Sequence, residues 1–234
     1  MKLLLASLLF HSAAYGAKSE TLWTAWYLIT QKGSPVGYFE ETAEKRPSDR
    51  QIAVTQKWVE KAGARTETYI GSVSGEEHLA PVAFFVERKG PKPYKTDARA
   101  KGKRLEVTFK PGSPDLAKST EYAPLADGTF FSSFVPMAIA RRFAGQKGAF
   151  AFTAVVEDGG DMDVEVKKGL AEAQPSEKKI GKEECRQVLV KFDGKLQEWW
   201  ITKKGKTCLV EFPDSDTKME LSTEALAKKA LGEK

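Results

Sequence analysis

Two histidines and two cysteines in 234 residues leave little of the usual material for metal binding or nucleophilic catalysis. His11 lies in an apolar leader, so His78 stands alone, and one histidine cannot build a His-rich zinc site. A Ser-His or Cys-His pair using His78 finds no support either. There is no Gly-x-Ser-x-Gly elbow, and neither cysteine lies in a nucleophile motif. The context Gly75-Glu76-Glu77-His78 reads as a polar loop, and Gly-rich phosphate loops are absent. Glu157-Asp158-Gly159-Gly160-Asp161-Met162-Asp163 offers oxygens to calcium but lacks the spacing and closing glutamate of an EF-hand. A solvated hairpin turn is its ordinary reading. Glu40-Glu41 and Glu183-Glu184 are adjacent on expected strands and point to opposite faces, so neither pair converges on a substrate. These patterns name no catalytic residue, no metal ligand and no cofactor.

Long apolar runs are missing too. The longest, Leu3 to Phe10, falls short of the roughly 20 residues that cross a bilayer. It follows the positive Met1-Lys2 and precedes the small-residue segment His11 to Gly16. That order is the order of a secretory signal peptide, with cleavage expected after Gly16. Residues 1–16 are therefore read as a leader, and 17–234 as one β-rich domain that works in the periplasm or is secreted. The stretch 111–147 is the place where a subdivision would fall. The formal charge of +5 is a mild bias over this length and not the signature of a nucleic-acid binder.

What is present is period-two alternation. Leu22–Thr30, Val36–Glu44, Gln51–Lys61, Arg65–Val73, Val82–Arg88, Tyr94–Arg99 and Arg104–Lys110 read as strands punctuated by Gly and Pro turns. Strands resume at Ala149–Glu157, Met162–Lys168, Cys185–Phe192, Leu196–Thr202, Thr207–Phe212 and Lys218–Leu221. Between the two sets, Phe130 to Phe143 carries apolar residues at three- and four-residue spacing. It reads as one amphipathic helix or two short ones broken near Pro136, with Asp127 as a cap. Thr223 to Leu231 reads as a short C-terminal helix capped by Ser222 or Thr223. The fold class expected is mostly β: a curved antiparallel sheet, half-open barrel or sandwich, with one central helical segment and a short C-terminal helix.

Cys185 and Cys208 are an even pair, and in an oxidising compartment such a pair forms one disulfide. Two small buried apolar side chains are the alternative. The meander puts them on first and third strands, about 10 Å apart, which disfavours the bridge.

Two surfaces invite ligands. Arg88, Lys89, Lys92, Lys95 and Arg99 form a basic stretch that could meet an anionic envelope component, a solvated hairpin face being the plainer reading. Aromatic residues crowd the strands, and the adjacent pairs Trp26-Tyr27 and Trp199-Trp200 must each send one ring to either face. A sheet covered on both faces, an apolar groove or a filled core would each account for that. Trp26, Trp58, Phe134 and Trp199 are the candidate groove residues, and they are equally good core residues.

Trp26-Tyr27-Leu28-Ile29, followed by the hairpin Gly33-Ser34-Pro35-Val36-Gly37-Tyr38, resembles the opening of a group of exported bacterial β-proteins of unknown function. Glu198-Trp199-Trp200-Ile201 with Lys204-Gly205-Lys206, and the aromatic helical segment between the strand sets, resemble that group as well. The likeness extends to half-open barrels of the lipoprotein-carrier type, in which a curved sheet wraps a helix to hold acyl chains. It implies a hydrophobic groove and no site residue. The same hairpin is similar to β domains beside exported transglutaminase-like enzymes, but their Cys-His-Asp constellation is missing here. The expected role is a non-catalytic binding module for a lipid-like or other apolar ligand. An envelope interaction protein with a filled core is the alternative, and a hydrolase built on carboxylates or His78 the weakest reading.

Overall fold

The computed structural model describes residues 19–46, 50–61, 66–75, 78–112, 118–144, 148–156 and 164–232. The leader, the acidic segment 157–163 and the Glu76-Glu77 pair lie outside these residues. The protein is mostly β. Its strands are β1 (Glu20–Gln31), β2 (Ser34–Arg46), β3 (Gln51–Glu60), β4 (Thr66–Ser74), β5 (Ala80–Lys89), β6 (Tyr94–Lys101), β7 (Arg104–Pro111) and β8 (Ser119–Pro124). Then come β9 (Thr129–Phe131), a 3-10 turn (Ser132–Phe134) and helix α1 (Val135–Arg142). The remainder is β10 (Ala149–Val156), β11 (Glu165–Ile180), β12 (Glu183–Phe192), β13 (Lys195–Ile201), β14 (Thr207–Phe212), β15 (Thr217–Ser222) and helix α2 (Glu224–Ala230).

All fifteen strands form one open sheet in the order 8-7-6-5-4-3-2-1-15-14-13-12-11-10-9. Among the described residues, each strand except β8 pairs with the one that follows it, antiparallel in every case but β9 and β10, which run parallel. First and last strands meet in the middle, where Trp26 to Gln31 run against Ser222 to Thr217. Alternation sends Trp23, Ala25 and Tyr27, Phe39 and Ala43, Ile52 and Val54, and Leu105, Val107 and Phe109 to the inner face. The sheet curls around α1. Phe134, Met137 and Ala138 pack into the cluster made by the first eight strands, and Val135, Ile139 and Phe143 into the cluster made by β10 to β13. Burying a helix on two sides requires an apolar surface almost all round, which Val-Pro-Met-Ala-Ile-Ala supplies.

The helical segment follows its sequence reading in its break and differs in its cap. Two short helical pieces, the 3-10 turn and α1, meet just before Pro136, which sits in the first turn of α1, where an imide nitrogen costs nothing because amides there lack intrahelical partners. Asp127 does not cap the helix. The cap position is Phe134, without a side-chain hydrogen bond, since the residues between form β9 and the 3-10 turn. At the far end of the chain Thr223 caps α2, accepting from the Leu226 amide at 3.3 Å.

Cys185 and Cys208 are bridged, with Cα atoms 6.7 Å apart. The strand-spacing argument against the bridge fails for a local reason. The intervening strand β13 ends at Ile201, whose partner on β12 is Arg186, so Cys185 lies beyond its end. On β14, Trp200 pairs with Leu209 and Ile201 with Thr207, leaving Cys208 as the extra residue of a bulge. The bridge closes around the end of the middle strand instead of across it.

Candidate functional site

Adjacent aromatics do divide between the faces. Tyr27 is fully buried inside, where its ring stacks on Phe39 at 4.3 Å and Phe39 on Trp58 at 4.3 Å. Trp26 points outward, tilts against Tyr38 at 5.6 Å, and lies under Lys228 of α2 at 5.2 Å. At the second pair, Trp199 packs toward the β10–β13 cluster. Trp200 joins the disulfide and Leu209 on the opposite face, with the Lys178 ammonium 3.8 Å from its ring centre. The sheet is thus covered on both faces at these places, by a helix at one and by a long cationic side chain at the other.

The first-half inner face also carries polar groups in a row across the strands. Trp23 Nε1 and Gln56 Nε2 each donate to Glu41 at 2.8 Å. Burial raises the Glu41 carboxyl above its ordinary range, and the two donated bonds and the Lys206 charge pull it back only in part. Further along, Glu67 accepts from Arg88 Nε at 3.0 Å and from the Tyr94 hydroxyl at 3.2 Å. Arg88 therefore belongs to the interior, 9% exposed, and not to the basic surface in which the sequence placed it. Its position opposite Glu67 on β4 and Tyr94 on β6 puts all three side chains on one face. Of the remaining basic residues, Lys95 pairs with Glu87 at 2.9 Å on the outer face, and Lys89, Lys92 and Arg99 are exposed.

Between this wall and the 3-10 turn before α1 lies a cleft of about 650 Å³. Ile29, Trp58, Tyr69 and Val86 give it apolar sides, while Gln56, Glu67 and Ser133 bring polar atoms. Ser133 Oγ donates to the Tyr69 hydroxyl at 2.8 Å, which pins the turn to β4. Tyr69 can lie flat along its strand only because residue 71 is glycine. A Cβ there would collide with the phenol ring and its oxygen.

Of the four candidate groove residues, Trp58 lines this cleft. Phe134 is wholly enclosed in the core beside it, Trp26 is on the outer face beneath α2, and Trp199 packs in the second cluster. Tyr69, Val86 and Ser133 were missed as site residues. The glycine two residues after Tyr69 was the one available signal. His78 lies in the loop before β5, where it borders a second cleft. Among the described residues no group of three or more His, Cys, Asp or Glu side chains is placed to hold a metal. No helix among them is long and apolar enough to cross a membrane.

No protein-family model matches the chain, and no curated protein matches it. Among solved structures it is similar to a beta-barrel-like protein of the domain of unknown function DUF1849 from Brucella abortus. The two are 12% identical with a TM-score of 0.48, over 86% of this chain and 95% of that one.

Proposed function

We propose that the chain is an exported, non-catalytic binding module that holds an apolar or lipid-like ligand in the cleft beside Trp58. The observation that carries this reading is the cleft itself. It joins an aromatic and aliphatic lining to a few fixed polar groups, and its volume is in the range of small-molecule sites. Gln56 and Glu67 are held by other side chains, so they orient a ligand without offering a convergent acid–base pair. The disulfide supports an oxidising compartment, and the apolar leader supports export.

The test uses a neutral fluorophore that brightens in apolar surroundings, such as N-phenylnaphthylamine, titrated into the purified protein. Saturable binding is expected, and Trp58→Ala should weaken it about tenfold, the equivalent of losing one aromatic contact. Unchanged affinity in that variant, with the fold intact by circular dichroism, would remove the cleft from consideration.

A further inference from the structure

The second cleft lies at the other end of β5. Pro81 at the start of that strand borders it, whereas Val86 borders the Trp58 cleft. It measures about 730 Å³ and is walled by Leu79, Leu125, Phe130 and Phe150. Its ionic character differs from that of the first. Among the described residues, the lining carries the cations Lys103, Arg141 and Arg142 against the single carboxylate of Asp127. Lys103 sits on the exposed turn between β6 and β7, and Arg141 and Arg142 close the last turn of α1. Lys103 and Arg142 make no ion pair among the described residues, so two positive charges stand over an apolar hollow without a counter-ion from that part of the chain.

Two further features belong to the wall behind the cleft. Thr129 is buried in the lining, and its hydroxyl has no hydrogen-bond partner among the described residues. Such a group costs free energy when left unmet. Leu79 is 1% exposed and holds a left-handed backbone, φ 48°, a conformation that a bulky residue adopts only when its surroundings impose it. What points to a ligand is the cleft itself, where cationic side chains at the rim meet an apolar hollow.

We infer that this cleft binds a single-chain anionic amphiphile. Its carboxylate or phosphate head rests between Lys103 and the Arg141-Arg142 pair, and its alkyl chain lies on Leu79, Leu125, Phe130 and Phe150. Guanidinium groups suit either head, since both present paired oxygens to a planar donor fork. The site is separate from the Trp58 cleft and stands whether or not that cleft is used.

Isothermal titration of the purified protein with dodecyl phosphate, dodecanoate, a neutral dodecyl glucoside below its micelle concentration, and inorganic phosphate tests this. Both anionic amphiphiles should bind at least tenfold more tightly than the glucoside, and far more tightly than inorganic phosphate. The exposed double variant Lys103→Gln/Arg142→Gln should lose tenfold or more for dodecyl phosphate. The same variant should bind N-phenylnaphthylamine at Trp58 as before, which separates the two clefts. Equal affinity for the glucoside would overturn the charge argument, and equal affinity for phosphate alone would overturn the chain. Binding to phosphatidylglycerol vesicles without binding to monomeric dodecyl phosphate would make the patch a membrane contact and overturn the cleft. Unaltered affinity in the double variant would place the amphiphile elsewhere.

Discussion

Glu41 accepts hydrogen bonds from an indole and an amide inside the curl of the sheet, and its carboxyl is raised by burial all the same. The sign of the consequence follows from linkage. A carboxyl that holds its proton more tightly when folded contributes stability below the unfolded-state value, and loses it as pH rises through the folded-state value. This is opposite to the behaviour of a salt-bridged acid. Urea midpoints measured from mildly acid to neutral pH should therefore show a downward component that disappears in Glu41→Gln. That variant should itself cost about 1–3 kcal/mol, because an amide oxygen replaces two acceptor oxygens facing two donors. A Glu41→Gln protein with the same pH slope as its parent would refute the assignment.

At the scale of elements, the bridge between β12 and β14 is the feature with the largest expected effect. It closes a loop with a sequence separation of 23, for which chain entropy gives about 3 kcal/mol. Chemical denaturation with and without reductant should show a loss of that order, and Cys185→Ala/Cys208→Ala should match the reduced protein. Equal midpoints in the two redox states would refute it. The bridge also shows where the sequence stops being legible. Strand spacing is a general quantity and argued against it, but one bulged residue and one early strand end decided the matter. The same holds for β11. Its second half, Gln174-Pro175-Ser176 onward, looks unlike a strand because it pairs only with β12, with a bulge between Ala173 and Glu177 that accommodates the proline. β8 was hidden for a similar reason: Ser119–Pro124 lies at the sheet's edge, and only Ala123 is buried. The alternating strands β1 to β7, the aromatic helical segment and the terminal helix could all be read beforehand, since one buried face enforces a period. The clefts could not. They are assembled from residues such as Trp58, Tyr69 and Ser133 that lie far apart along the chain, and no local pattern marks such a meeting.

For the whole molecule, the sheet wraps a helix without closing its hydrogen-bonded ring, so β8 and β9 remain as its two edges. α1 fills the space a larger barrel would leave open, and the clefts are what remains on either side of the segment leading into it. Binding in this architecture depends on how tightly that segment is held. Ser133 to Tyr69 fastens it to the first strands, and Arg186, donating to the Phe143 carbonyl at 2.8 Å, fastens its end to the last ones.

The seam between β1 and β15 also bears on the order in which the protein can be made. Every other neighbouring pair except β9–β10 is a hairpin that closes over a short stretch of chain, but Gln31 meets Thr217 only once all the strands between them have been made. Closing so long a loop is the slow step expected of this topology. A circular permutant with a short linker from α2 to β1 and new ends in the Asp193-Gly194 turn would make the seam a local connection. Its refolding rate should rise clearly above that of the parent while its equilibrium stability changes little, whereas identical rates would mean that the two halves of the sheet zip together without waiting for the ends.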